Sequence, residues 1–78
     1  MKQKFKKGDL VEVTIGKNTF IAPVIDVNNG VMIELGELYA IVNERLCKFG
    51  LSDYYHISAI RAADKKSAAY ERYTRRLA

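Results

Sequence analysis

The sequence predicts a mainly β domain: a small five-stranded β-barrel followed by one C-terminal α-helix. Three observations carry that expectation. Short runs alternate apolar and polar residues, the signature of half-buried strands. Glycine and asparagine turns separate those runs. After Asp64 the hydrophobic period changes from two to that of a helix. The 78 residues are 49% hydrophobic and 28% charged, which suits one folded domain without a deep cavity.

The first strand is "LVEVTI", residues 10 to 15, where Val11, Val13 and Ile15 share one face and Glu12 and Thr14 the other. "GKN" turns the chain. "TFIAPVIDV", residues 19 to 27, is a second strand with Ile21, Ile25 and Val27 on one face. Pro23 cannot donate to a ladder, so this strand lies at an edge or is bulged there. "NNG", residues 28 to 30, is a tight turn, because both residue types tolerate positive φ. "VMIEL" returns from it with Val31, Ile33 and Leu35 facing inward.

Residues 36 to 50, "GELYAIVNERLCKFG", support two readings. "LYAIVN" is β-branched and aromatic, as a strand should be. Leu38, Ile41, Val42, Leu46 and Phe49 also fall near helical spacing, and Glu44 with Lys48 forms an i,i+4 pair. A strand over 38–43 followed by a helical turn through 44–49 is preferred; a helix over 38–49 is the alternative. "YYHISAIR", residues 54 to 61, alternates again and reads as one strand. Asp64 is a candidate N-cap for a helix over 64–77. Ala63, Tyr70, Tyr73 and Leu77 gather on one side of that helix. Lys65, Arg72 and Arg76 form a stripe nearly opposite, flanked by Arg75. The domain thus divides into a basic N-terminal arm (1–7), a barrel (8–61) and a helix (64–77).

Three stretches carry a resemblance. "KKGDLVEV" resembles the opening strand of Src-homology-3-like small barrels, "APVIDVNNGVMIE" their central hairpin, and "YYHISAIRAAD" their closing strand in Tudor-like and KOW-like modules. The pattern is similar to the C-terminal domain of retroviral-type integrases, where an aromatic, a histidine and a small residue lead into a basic residue, here Arg61. The resemblance covers residues 6 to 64. It implies a barrel that binds nucleic acid or peptides through its loops and one open face, and it does not imply an enzyme.

Charge is divided along the chain. Lys2, Lys4, Lys6 and Lys7 make residues 1–8 net +4. Residues 9–60 carry three basic groups against seven acids, net −4. Residues 61–78 carry six basic groups against two acids, net +4. A basic binding face must therefore be assembled from both ends. The candidate nucleic-acid contacts are Lys4, Lys6, Lys7, Arg61, Lys65, Arg72, Arg75 and Arg76. Among the aromatic residues Tyr54 is the foremost candidate to stack on a base. The alternative partner is a protein, met through an acidic barrel surface at Glu34, Glu37 and Glu44. That reading suits an inhibitory or accessory protein of the bacterial or phage kind, with the helix available for a homodimer.

Chemistry has little to build on. His56 is the only histidine. Ser58 shares its strand face, but no orienting acid or nucleophile-elbow motif accompanies the pair. The acids show no metal-loop spacing, and "GKNTF" lacks the phosphate-loop spacing, so no cofactor is expected. Cys47 cannot form an internal disulfide and reads as a small buried hydrophobe in a reducing compartment. No apolar run approaches the roughly 20 residues of a membrane span. Glu12 falls too early for a signal peptide. A soluble, cytoplasmic protein is expected.

Overall fold

A computed structural model describes residues 5–50 and 52–77, without the side chain of Leu77. Seven strands precede one helix: β1 (Leu10–Ile15), β2 (Asn18–Asp26), β3 (Met32–Leu35), β4 (Leu38–Val42), β5 (Arg45–Gly50), β6 (Asp53–His56), β7 (Ile60–Ala62) and α1 (Ala68–Leu77). All the pairings are antiparallel. The fold is mainly β with a C-terminal helix, as expected. The sheet has seven strands rather than five, and its main path runs β5-β4-β2-β1-β7. Among the described residues no ladder joins β6 to β7, so hydrogen bonds do not close the sheet into a ring.

The extra strands come from two bends. β3 and β4 succeed one another along the same edge of β2, with Glu34 opposite Asp26 and Tyr39 opposite Ile21. β6 and β5 run beside them in turn, with Tyr54 opposite Glu34 and Lys48 opposite Tyr39. The bend at residue 36 needs glycine, because a Cβ there would meet Pro23 Cγ at 2.9 Å. Next to Pro23, β2 is bulged between Val24 and Asp26, which is how the proline is tolerated.

Two expectations fail in this region. Residues 44–49 do not form a helical turn: Arg45–Gly50 is a strand, and Glu44 belongs to the turn before it. Asn43 and Glu44 take φ of 50° and 65°, a two-residue reversal that closes a β4–β5 hairpin. Residues 54–61 are not one strand either. A 3-10 turn, Ile57–Ala59, separates β6 from β7, and His56 Nδ1 caps it by accepting from the Ser58 amide at 3.1 Å.

The sheet is buried on both faces at its centre. On one face Phe5, Val11, Val13, Ala22, Val24, Ile33, Leu35, Leu38 and Ile60 form the main core. On the other, Ile21, Tyr39 and Tyr73 pack together with Leu10, Leu46, Ala63, Ala69 and Tyr70 beneath the helix. Each fully buried aliphatic side chain contributes about 1.5–3 kcal/mol. The larger cluster therefore holds the sheet, and the smaller one attaches α1. Inward expectations hold at Val11, Val13, Ile33 and Leu35 but not at Ile15, Ile25 and Val31, which are exposed where the strands overhang the core.

The helix starts later than Asp64. Ser67 caps it, with its Oγ accepting from the Tyr70 amide at 3.1 Å, while Asp64 Oδ1 accepts from the Lys66 amide in the preceding turn. Asp64 is not free to cap α1 because its own amide is tied back to β1, donating to Glu12 Oε2 at 3.1 Å. Ten residues are marginal as an isolated helix in water, so α1 depends on Tyr73, whose ring meets the Tyr39 ring edge-on at 5.4 Å.

Candidate functional site

The first and last strands are neighbours. Val11 lies opposite Ala62 and Val13 opposite Ile60, and the Ala63 amide extends the ladder by donating to Leu10 O at 3.2 Å. In an antiparallel pair, the start of one strand lies beside the end of the other. The segment before β1 and the segment after β7 therefore emerge at the same end of the sheet. Between them lies a cleft of about 580 Å³ lined by Phe5, Gly8, Asp9, Leu10, Ala62, Ala63, Lys65 and Tyr70.

Both walls of the cleft are fixed. Phe5 is 4% exposed and belongs to the main core. The expected basic arm over residues 1–7 is thus anchored at Phe5, and Lys4 lies outside the described residues. Gly8, at φ +95°, donates to Val24 O, and Asp9 O accepts from the Val24 amide. The Asp9 carboxylate turns back onto the Lys6 amide at 3.1 Å. On the other wall, Glu12 is the anchor. The sequence places it on a solvent face, yet it is only 7% exposed, because the helix layer covers that side of β1. Its two oxygens take Arg61 Nε at 2.9 Å and the Asp64 amide.

Lys6, Lys7, Lys65 and Lys66 are exposed, and no ion pair engages them among the described residues. Lys66 is not among the candidates that the sequence singles out, although it stands in the same "DKK" run as Lys65. The other basic candidates are used differently. Arg61 is paired to Glu12. Arg72 donates to the Glu44 carbonyl at the tip of the β4–β5 hairpin. Arg75 pairs with Glu71 along the helix. The Arg76 guanidinium lies over the Tyr39 ring, 5.0 Å from its centre. The arginines therefore do not form one stripe with Lys65, which precedes the helix.

The remaining candidates scatter. Tyr54 is 53% exposed, but its cross-strand neighbour is Glu34, itself opposite Asp26, so its surroundings are acidic. Glu37 pairs with Lys48 at 3.1 Å and accepts from the Tyr39 hydroxyl. Glu44 sits in the β4–β5 turn against the helix. Glu34, Glu37 and Glu44 thus occupy three places and make no common acidic face. His56 Nδ1 lies 2.8 Å from Ser58 Oγ on an exposed turn, where the pair caps the chain reversal. A second depression, beside Pro23, Ile25, Gly36, Glu37, Tyr39, Ser52 and Tyr73, has an acid and no cation on its lining.

Two tyrosines feel the fold electrostatically. Burial, foremost, raises the Tyr73 phenol above its ordinary value, with Tyr39 and Glu37 adding to the rise and Arg76 opposing it. Burial and then Asp53 raise that of Tyr55. Tyr73 is therefore held as the neutral phenol that packs against Tyr39. Among the described residues no helix is long and apolar enough to cross a membrane. Comparison of the chain with protein-family models, curated proteins and solved structures found no match.

Proposed function

We propose that this protein is a non-enzymatic, nucleic-acid-binding module that grips phosphates with Lys6, Lys7, Lys65 and Lys66. The observation that supports the reading is the β1–β7 ladder, which brings two basic segments from opposite ends of the chain to one cleft. Unpaired, exposed lysines are what counterion release requires, since each phosphate they neutralise frees condensed cations. If the bent pairs β3–β4 and β5–β6 are each counted as one strand, the order of strands and the 3-10 turn before the last one fit a Src-homology-3-like small barrel. A half-buried free thiol at Cys47 suits a reducing, cytoplasmic setting.

The test is anisotropy of a labelled 20-mer, single-stranded and duplex, at 50 and 200 mM salt. With about four phosphate contacts, duplex affinity is expected to fall roughly 100-fold across that range. A K6Q/K7Q/K65Q/K66Q variant should lose most of the binding at 50 mM, whereas R72Q/R75Q/R76Q should keep it. Absence of binding at 50 mM, or a lysine variant that binds as tightly as the natural chain, refutes the proposal.

One observation favours a second reading, contact with a protein. On the sheet face opposite the helix, Phe20, Ala40, Val42 and Phe49 line an apolar groove, with Phe49 53% exposed and its ring 5.6 Å from that of Phe20. This surface, rather than Glu34, Glu37 and Glu44, is where such a partner would sit. A complex made there persists at high salt, unlike one made by lysines.

A further inference from the structure

We infer that the nucleic acid is single-stranded and that the cleft between residues 5–10 and 62–70 receives one of its bases, stacked on Tyr70. The inference rests on the nucleic-acid reading and deepens it. The cleft's volume of about 580 Å³ is within the range of small-ligand pockets, and its lining is mixed. Phe5, Leu10, Ala62, Ala63 and the Tyr70 ring are apolar, while Lys65 and Asp9, whose carboxylate is turned back onto the Lys6 amide, are polar. Lys65 stands on its lining, with Lys66 one residue on and Lys6 and Lys7 on the opposite segment. That is a phosphate-attracting surround with an aromatic, partly apolar interior, the two components of single-strand binding.

The concavity decides against a duplex. In a duplex the bases are stacked inside the helix, and only their edges reach a groove. A single strand can splay a base outward, and its face can meet an aromatic ring. Here the lysines belong to two chain segments flanking a hollow, and no described helix or strand ridge carries them into a groove. Tyr70 is partly exposed and lines the cleft while also packing against the cluster under the helix. Tyr54, the aromatic favoured by the sequence, stands beside Glu34, where a phosphodiester is repelled.

The test uses the full chain with 12-mers of 5-bromouracil-containing DNA and RNA, alongside a duplex of the same sequence. Single strands should bind at least tenfold more tightly than the duplex at equal salt, and ultraviolet cross-linking should map by mass spectrometry to Tyr70. Ala62→Ile fills the exposed wall of the cleft without touching the helix cluster, and should lower single-strand affinity roughly tenfold while leaving duplex affinity unchanged. Tyr70→Phe should retain binding, and Tyr54→Ala should have no effect. Equal affinity for both forms, an adduct at Tyr54, or an Ala62→Ile chain that binds normally overturns the base-entry inference while leaving lysine-dependent, salt-sensitive binding in place. If neither form binds at 50 mM salt, both readings fall.

Discussion

The segment from Lys65 to Arg76 carries cations at both of its ends, and the two ends behave in opposite ways. At the near end, Lys65 and Lys66 leave β7 beside the segment of Lys6 and Lys7, exposed and without ion-pair partners among the described residues. At the far end, Arg72 reaches a carbonyl of the β4–β5 hairpin, Arg75 an acid one turn back, and Arg76 an aromatic face. A count of positive charge treats the ends alike. Geometry separates cations available to a partner from cations engaged along or beneath a helix. The chemistry of the side chains fits the division: the guanidinium is planar, weakly hydrated and suited to stacking and carbonyl contact, whereas the ammonium is a strongly hydrated point charge.

This contrast can be broken most forcefully at Tyr73. Tyr73→Ala removes a buried ring from the small cluster that attaches α1, and is expected to cost about 3 kcal/mol. The helical circular-dichroism signal should fall while the sheet signal persists. Lysine-dependent, salt-sensitive binding of a duplex should survive, because Lys65 and Lys66 are positioned by the Glu12–Asp64 contact and not by the helix. Any preference for single strands, which needs Tyr70 on α1, should be lost. Loss of binding together with the helix would merge the two ends into one unit.

Alkaline pH probes the same contact reversibly. The Tyr73 pKa is raised in the folded chain above its ordinary 10.0, so its contribution to helix attachment is complete below that value and is lost as pH climbs through the raised one. Absorbance at 295 nm monitored alongside ellipticity at 222 nm should show the helix released only above pH 10 and with the late-ionising tyrosines. Release at lower pH would remove Tyr73 from its role. Smaller effects are expected from Arg76→Ala, about 0.5–1 kcal/mol for the lost ring contact, and from Arg75→Ala, about 0.3–0.5 kcal/mol for an exposed i,i+4 pair, both read by chemical denaturation. Neither should alter salt-dependent binding.

How much of the molecule is legible in the sequence depends on the range of the interactions involved. The β1 alternation, the "NNG" turn and the bulge at Pro23 are local, and they appear where the residue pattern puts them. The β4–β5 hairpin escapes the pattern because Glu44, Leu46, Lys48 and Phe49 happen to fit a helical spacing. The deciding signal is Asn43, whose short polar side chain tolerates positive φ. Continuous alternation hides the 3-10 break at residues 57–59, since a capped turn can interrupt a strand without changing its polarity pattern. Glu12 reads as solvent-facing because alternation knows only one face of a sheet and cannot show that a helix covers the other. For the site, Lys6, Lys7 and Lys65 are legible as charge. Their meeting is not, because it depends on a pairing of the first strand with the last.

That pairing also orders events during synthesis. Apart from β1 with β7, each strand finds its partners within a modest stretch of chain, so most of the sheet can assemble as it leaves the ribosome. The outer edge of β1 must wait for residues 60–62, and closing so long a loop is among the slower steps of folding. A nascent chain consequently displays Lys6 and Lys7 without Lys65 and Lys66, and the hollow between the two segments is complete only once translation has passed Tyr70.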